Sequence, residues 1–123
     1  TGETTVGNVL RALHRMGPRV VALTRDKDGA VISMDGQVAV AEGIDMEAVD
    51  PTGAGDTLAA ALCVGLQEGM PLMRLAAFCN SAGTLVITRR GAIGLALPTR
   101  EQVEALAASE ACRVTCLPLD SMP

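Results

Sequence analysis

The sequence predicts an α/β fold, and three observations point there. An apolar stripe at helical spacing, Val6, Val9, Leu10, Leu13 and Met16, runs directly into "RVVALT", a short and nearly continuous apolar run of the kind a buried strand shows. Two further apolar runs, "AVISM" and "QVAVA", flank Asp35-Gly36, a dipeptide suited to a two-residue type I′ turn because both central positions need positive φ. The chain is 49% hydrophobic yet holds a single aromatic residue, Phe78. Burial therefore falls to Ala, Val, Leu, Ile and Met, which suits helices packed closely on a sheet.

Taken in order, the first helix can be capped by Thr4 or Thr5 and is stopped by Gly17-Pro18. The strand after it ends in a polar loop, "RDKDG", and the β-hairpin around Asp35-Gly36 follows. Residues Ile44 to Val49 alternate loosely and predict another extended segment, leading into "DPTGAGD". The next helix sets Leu58, Ala61, Leu62, Gly65 and Leu66 on one side and ends around Gly69. From Pro71, which suits a first helical turn, "LMRLAAFCNSAGTLVIT" is apolar on most faces and rich in small residues, predicting a helix that is buried and tightly packed. Thr99-Arg100-Glu101-Gln102 is a capping-box pattern, and Val103, Leu106 and Ala107 form the stripe of a last helix. Residues 110–123 show no clear period and stay unassigned.

At 123 residues the chain makes one domain or less. Its net charge is −4, with an isoelectric point near 4.8 and a mean hydropathy of +0.33. The ten Lys and Arg residues are scattered, which argues against a nucleic-acid surface. No stretch has the length of a membrane span, and "TGETTVGN" lacks the basic start and apolar centre of a signal peptide, so the chain reads as cytoplasmic. Cys63 and Cys79 fall among apolar helical positions and read as reduced, small hydrophobes. Cys112 and Cys116 have only His14 as a nitrogen partner, a poor basis for a zinc site.

The densest chemical signal is "VDPTGAGDTLAAAL". Its two glycines let the backbone approach a ligand closely, and the amides of Gly53, Ala54, Gly55 and Asp56 lie where a helix N-terminus favours an anion. A carboxylate beside those donors, Asp56, can accept a proton from a nearby hydroxyl. Anion hole plus general base is what phosphoryl transfer to an alcohol requires. From spacing alone, a helix-start acid behind a glycine turn explains the pattern equally well.

The motif resembles the C-terminal signature of the ribokinase-like, or PfkB, carbohydrate kinases. Thr1-Gly2, "VVALT" with Gly29, "NSAGTLVITRRGA" and "LPTREQVEAL" extend the resemblance over about residues 1 to 109. It implies the C-terminal part of a three-layer α/β/α fold and ATP-dependent phosphorylation of a hydroxymethyl group of a sugar or sugar-like acceptor. Asp56 would be the catalytic base, and the Gly53 to Asp56 amides the anion hole. Thr24, Gly29, Asn80 and Gly83 would lie on the nucleotide side, with ATP and Mg²⁺ as cofactors. Asp50 and Thr52, with carbonyls of "ITRRGA", would bind a monovalent cation such as K⁺. Read without the family, Asp50-Pro51 is a turn, Asn80 a buried residue bonded to backbone, and Arg89 and Arg90 a solvated face.

Two departures from the family pattern stand out. The loop "TRDKDG" has Asp26 where the family has its first glycine, which brings negative charge toward phosphates. The family's N-terminal half, which carries most sugar contacts, has no counterpart in these residues. The chain therefore reads as the nucleotide half of a kinase, with a homodimer or the missing N-terminal half as its expected partner. A non-catalytic nucleotide-binding or interaction module is the competing reading, and a nucleoside or vitamin kinase shares the same motif.

Overall fold

The computed structural model describes residues 5–25, 29–46, 54–88 and 98–123. Helix α1 (Val6–Arg15) is capped by Thr5, whose side-chain oxygen accepts from the Asn8 amide at 3.2 Å. Strand β1 (Val20–Thr24) leads to β2 (Gly29–Met34) and β3 (Gln37–Glu42). Asp35 (φ 52°) and Gly36 (φ 78°) close this hairpin, both left-handed as the type I′ turn demands. Arg19 donates two hydrogen bonds of 3.0 Å to the Asp35 carboxylate across the same end.

Three helices follow: α2 (Ala54–Gln67), α3 (Leu72–Ile87) and α4 (Arg100–Ala107). Thr99 forms the expected capping box, accepting from the Gln102 amide at 3.2 Å while its own amide donates to the Gln102 side chain at 3.0 Å. Strand β4 (Val114–Pro118) then returns to β3, and a short 3-10 turn covers Leu119–Ser121. The four strands form one antiparallel sheet in the order β1-β2-β3-β4.

The two faces of this sheet differ in side-chain size. Ala22, Ile32, Ala39 and Cys116 stand opposite one another across the strands, and Ala30 and Ala41 share their face. On this mostly small-residue surface lies α3, buried without interruption from Leu75 to Gly83, with α2 and α4 packed against it. A helix apolar on most faces is stable here because most of its faces are covered. The opposite face presents Val21, Val31 and Val38, sealed by Leu10 of α1 and by Leu117, Leu119 and Met122 of the C-terminal segment. Helix α1, the sheet and the α2-α3-α4 layer thus give the expected three-layer α/β/α arrangement.

Two stretches differ from their sequence reading. The unassigned 110–123 region supplies β4 and ties down α1. The Gly7 amide donates to the Pro123 carbonyl at 2.8 Å, and Arg11 donates to the carbonyls of Leu119 and Met122 at 3.0 and 3.1 Å. No local period announces β4 because its register comes from β3, more than 70 residues earlier, and its outer side chains remain in solvent. The expected extended segment at Ile44 turns instead, with the Met46 amide donating to the Ile44 carbonyl at 2.9 Å, while 47–49 lie outside the described residues.

Candidate active site

Asp56 is the third residue of α2 and is exposed. The amides of Ala54, Gly55 and Asp56 occupy the first turn, where no carbonyl four residues earlier lies within the helix. Among the described residues, a side chain on Gly55 would meet nothing within 4 Å, so no described group covers the helix start on that side. Gly53, Asp50 and Thr52 lie outside the described residues, as do Asp26, Arg89, Arg90 and the remainder of "ITRRGA" after Thr88.

Thr24, Gly29 and Asn80 come together at one end of the sheet. The Arg25 amide donates to the Gly29 carbonyl at 2.9 Å, closing the loop after β1. Gly29 has φ +104° and lies against the Ala41 carbonyl, so a side chain there would be both strained and obstructed. Gly29 pairs with Glu42, and the Glu42 carbonyl accepts from the Asn80 side-chain amide at 2.9 Å. Asn80 is 5% exposed, so this bond ties α3 to β3, the backbone-bonded role that was the alternative for it.

Gly83 stands one turn further along α3, on roughly the same side as Asn80. A Cβ at Gly83 would lie 3.6 Å from the Ala54 carbonyl and 3.9 Å from Leu58 Cβ, so α3 passes directly beneath the start of α2. Helix α3 therefore joins the two halves of the candidate site. Asn80 fixes it to the sheet end that carries the loop, and Gly83 to the helix start that carries Asp56. These positions are separated by about 4.5 Å of helical rise.

A groove of about 420 Å³ opens beside Asp56, lined by Thr57, Ala60 and Val64 of α2, by Phe78 and Ala82 of α3, and by Arg100 of α4. The sequence reading did not single out Phe78 or Arg100; the one signal available was that Phe78 is the chain's single aromatic. The Arg100 guanidinium lies 5.0 Å from the Phe78 ring centroid. It also donates to both Glu68 carboxylate oxygens, at 2.7 and 2.8 Å. The hydrogen bond from Arg100, opposed in part by loss of water, holds the Glu68 carboxyl below its usual range. Arg100 is thus engaged by a carboxylate and an aromatic face rather than free to bind an anion.

The cysteines divide by environment. Cys79 is buried, and burial followed by the proximity of Cys63 pushes its thiol up to about 12. Cys63 and Cys116 are exposed, so Cys63 departs from the core role read from its apolar neighbours. Among the described residues no group of three His, Cys, Asp or Glu side chains gathers to hold a metal ion, and no helix is long and apolar enough to cross a membrane.

Helices on both faces of a sheet define the molecule as an α/β domain. The family model of the pfkB carbohydrate kinases matches residues 1–100, and the chain belongs to that family. It is 37% identical over 104 residues to a ribokinase of Bacillus subtilis, a match covering 85% of this chain and 34% of the relative. It is 33% identical over 82 residues to a nucleoside kinase of Methanothermobacter thermautotrophicus, covering 67% of this chain and 26% of that one. Among solved structures it resembles Arabidopsis thaliana ribokinase complexed with ribose and ATP, with a TM-score of 0.73 and 28% identity, over 88% of this chain and 36% of that one. The chain spans about a quarter to a third of the length of these relatives.

Proposed function

We propose that these residues supply the nucleotide side and the catalytic base of an ATP-dependent kinase that phosphorylates a hydroxymethyl group of a sugar or sugar-like acceptor. The observation that carries this reading is the exposed Asp56 carboxylate in the open first turn of α2. The first-turn amides suit phosphate oxygens, since they are donors without helical partners at the positive end of the helix dipole. Asp56 accepts the proton of the acceptor hydroxyl as its oxygen bonds to the γ-phosphorus of ATP and the bond from that phosphorus to the bridging oxygen of ADP breaks, and the Gly53 to Asp56 amides hold the charge that develops on the transferred group. Thr24, Gly29 and Gly83 line the nucleotide side, and Asn80 holds α3 there through Glu42. Mg²⁺ would neutralise phosphate charge, with most of its ligands coming from the nucleotide and water. Asp50 and Thr52 are the proposed K⁺ ligands, on the resemblance alone.

The acceptor class rests on the relatives, which include both a ribokinase and a nucleoside kinase. The test is Asp56→Asn in a protein that joins these residues to the remainder of the kinase fold, assayed by coupled ADP release over sugars and nucleosides. Turnover should fall by about 10²- to 10⁴-fold, while nucleotide binding measured by calorimetry stays near its original value. A loss of only a few fold would remove Asp56 from the role of base. A second reading, a nucleotide-binding module without catalysis, draws on the short span of the match. It predicts ATP binding by the 123-residue chain with no ADP release for any acceptor, whether or not the remainder of the fold is supplied.

A further inference from the structure

Strand β4 is an edge strand, and among the described residues only β3 pairs with it. The Glu42 amide donates to the Arg113 carbonyl and the Leu119 amide to the Gly36 carbonyl, each at 2.9 Å. The odd-numbered residues of this segment therefore turn their backbone groups toward β3. Alternation along the strand leaves the N–H and C=O groups of Val114 and Cys116 pointing outward. Such an edge is usually blunted by charged side chains, a bulge or a proline. Val114–Pro118 carries no charge and keeps its register with β3 throughout, and Pro118 blunts only the far end. Thr115 and Cys116 point to opposite faces of the sheet and are both exposed, so neither helix layer overhangs the edge.

Charge lies on either side of the strand instead. Arg113 stands immediately before β4 and Asp120 shortly after it, both exposed and, among the described residues, without a side-chain partner. An antiparallel strand satisfies both groups when it carries the same order of charge, as a second copy of β4 does; a parallel copy would oppose like charges.

We propose that the outer edge of β4 is the docking surface for β4 of a second copy of this chain, paired antiparallel about Thr115. In this register Val114 and Cys116 of one copy exchange N–H···O=C bonds with Cys116 and Val114 of the other, so every outward donor of the strand is used. Thr115 faces its own counterpart across the two-fold axis, a cross-strand pair that sheets favour, and Pro118 lies outside the bonded stretch. The two sheets run on as one, with the helix layers on matching sides. The surface uses none of the residues assigned to phosphoryl transfer.

So short a pairing makes a weak dimer that fills by mass action. The test is sedimentation equilibrium of the 123-residue chain across a wide range of concentration, together with amide hydrogen exchange read by NMR. The expected result is a concentration-dependent dimer in which the Val114 and Cys116 amides gain protection as it forms. Cys116→Pro removes an outward donor that β3 does not use, and should weaken the dimer by about tenfold or more while the far-UV circular dichroism is kept. Thr115→Lys, at an exposed site, sets like charges opposite one another and should weaken it about fivefold. Arg113→Glu should weaken it as well, and adding Asp120→Lys should restore it. If Cys116→Pro unfolds the chain, Thr115→Lys and the charge exchange decide the question. A chain that stays monomeric at every concentration overturns the inference. So does an assembly that Thr115→Lys and the Arg113→Glu change leave intact, since its contact would lie elsewhere.

Discussion

Cys79 lies at the centre of α3 with no exposed surface, and its thiol is held neutral well above the usual range. The consequence for stability has a definite sign. Below pH 9 the thiol is protonated in both folded and unfolded chains and stability is independent of it. Between about 9 and about 12 the unfolded thiol ionises while the folded one does not, so the folded chain holds more protons and stability falls as pH rises. The slope from this group is at most about 1.4 kcal/mol per pH unit. Urea midpoints from pH 8 to 11 should therefore drop more steeply for the natural chain than for Cys79→Ala, and parallel curves would contradict the buried-thiol account. Cys63 and Cys79 have similar apolar neighbours in sequence, and their separation into exposed and buried thiols depended on which faces of α2 and α3 met.

At the scale of elements, α4 is eight residues long with Val103 as its one buried side chain, so its stability leans on its start. The reciprocal bonds between Thr99 and Gln102 satisfy two donors there, and Thr99→Ala should destabilise the protein by about 0.5–2 kcal/mol, read as a shift in the urea midpoint. Helices α1, α2, α3 and α4, the β2-β3 hairpin and this cap are all legible in the sequence, because each has a local chemical cause: a 3.6 period, a positive-φ dipeptide, a Thr-x-x-Gln pattern. The motif around Asp56 is legible for the same reason, since a helix N-terminus is a local structure. The link between that motif and the β1-β2 loop is not, because it runs through Asn80 and Gly83 meeting Glu42 and Ala54 across the core. Phe78 and Arg100 beside Asp56 were likewise hidden, as their pairing joins α3 to α4.

Across the whole molecule, the C-terminal segment closes both ends of the fold. Strand β4 covers the edge of β3, and Leu117, Leu119 and Met122 complete the cluster around Leu10 while the last carbonyls receive Arg11 and the Gly7 amide. Removing residues 114–123 uncovers a strand edge and an apolar cluster at once. The expected outcome is loss of a cooperative thermal transition together with a rise in aggregate by light scattering. A truncated chain that melts as sharply as the original, at a similar midpoint, would show the tail to be dispensable.

The sequence by itself determined the α/β class, the helices and hairpin, the family and the residues around Asp56, since each follows from propensity, period or a short motif read within a few residues. Only the tertiary structure decided that residues 114–118 are a strand, that Asn80 is bound to Glu42, and that Cys63 faces out. Those outcomes depend on which surfaces meet across long separations in the chain, and no local pattern of side chains encodes that.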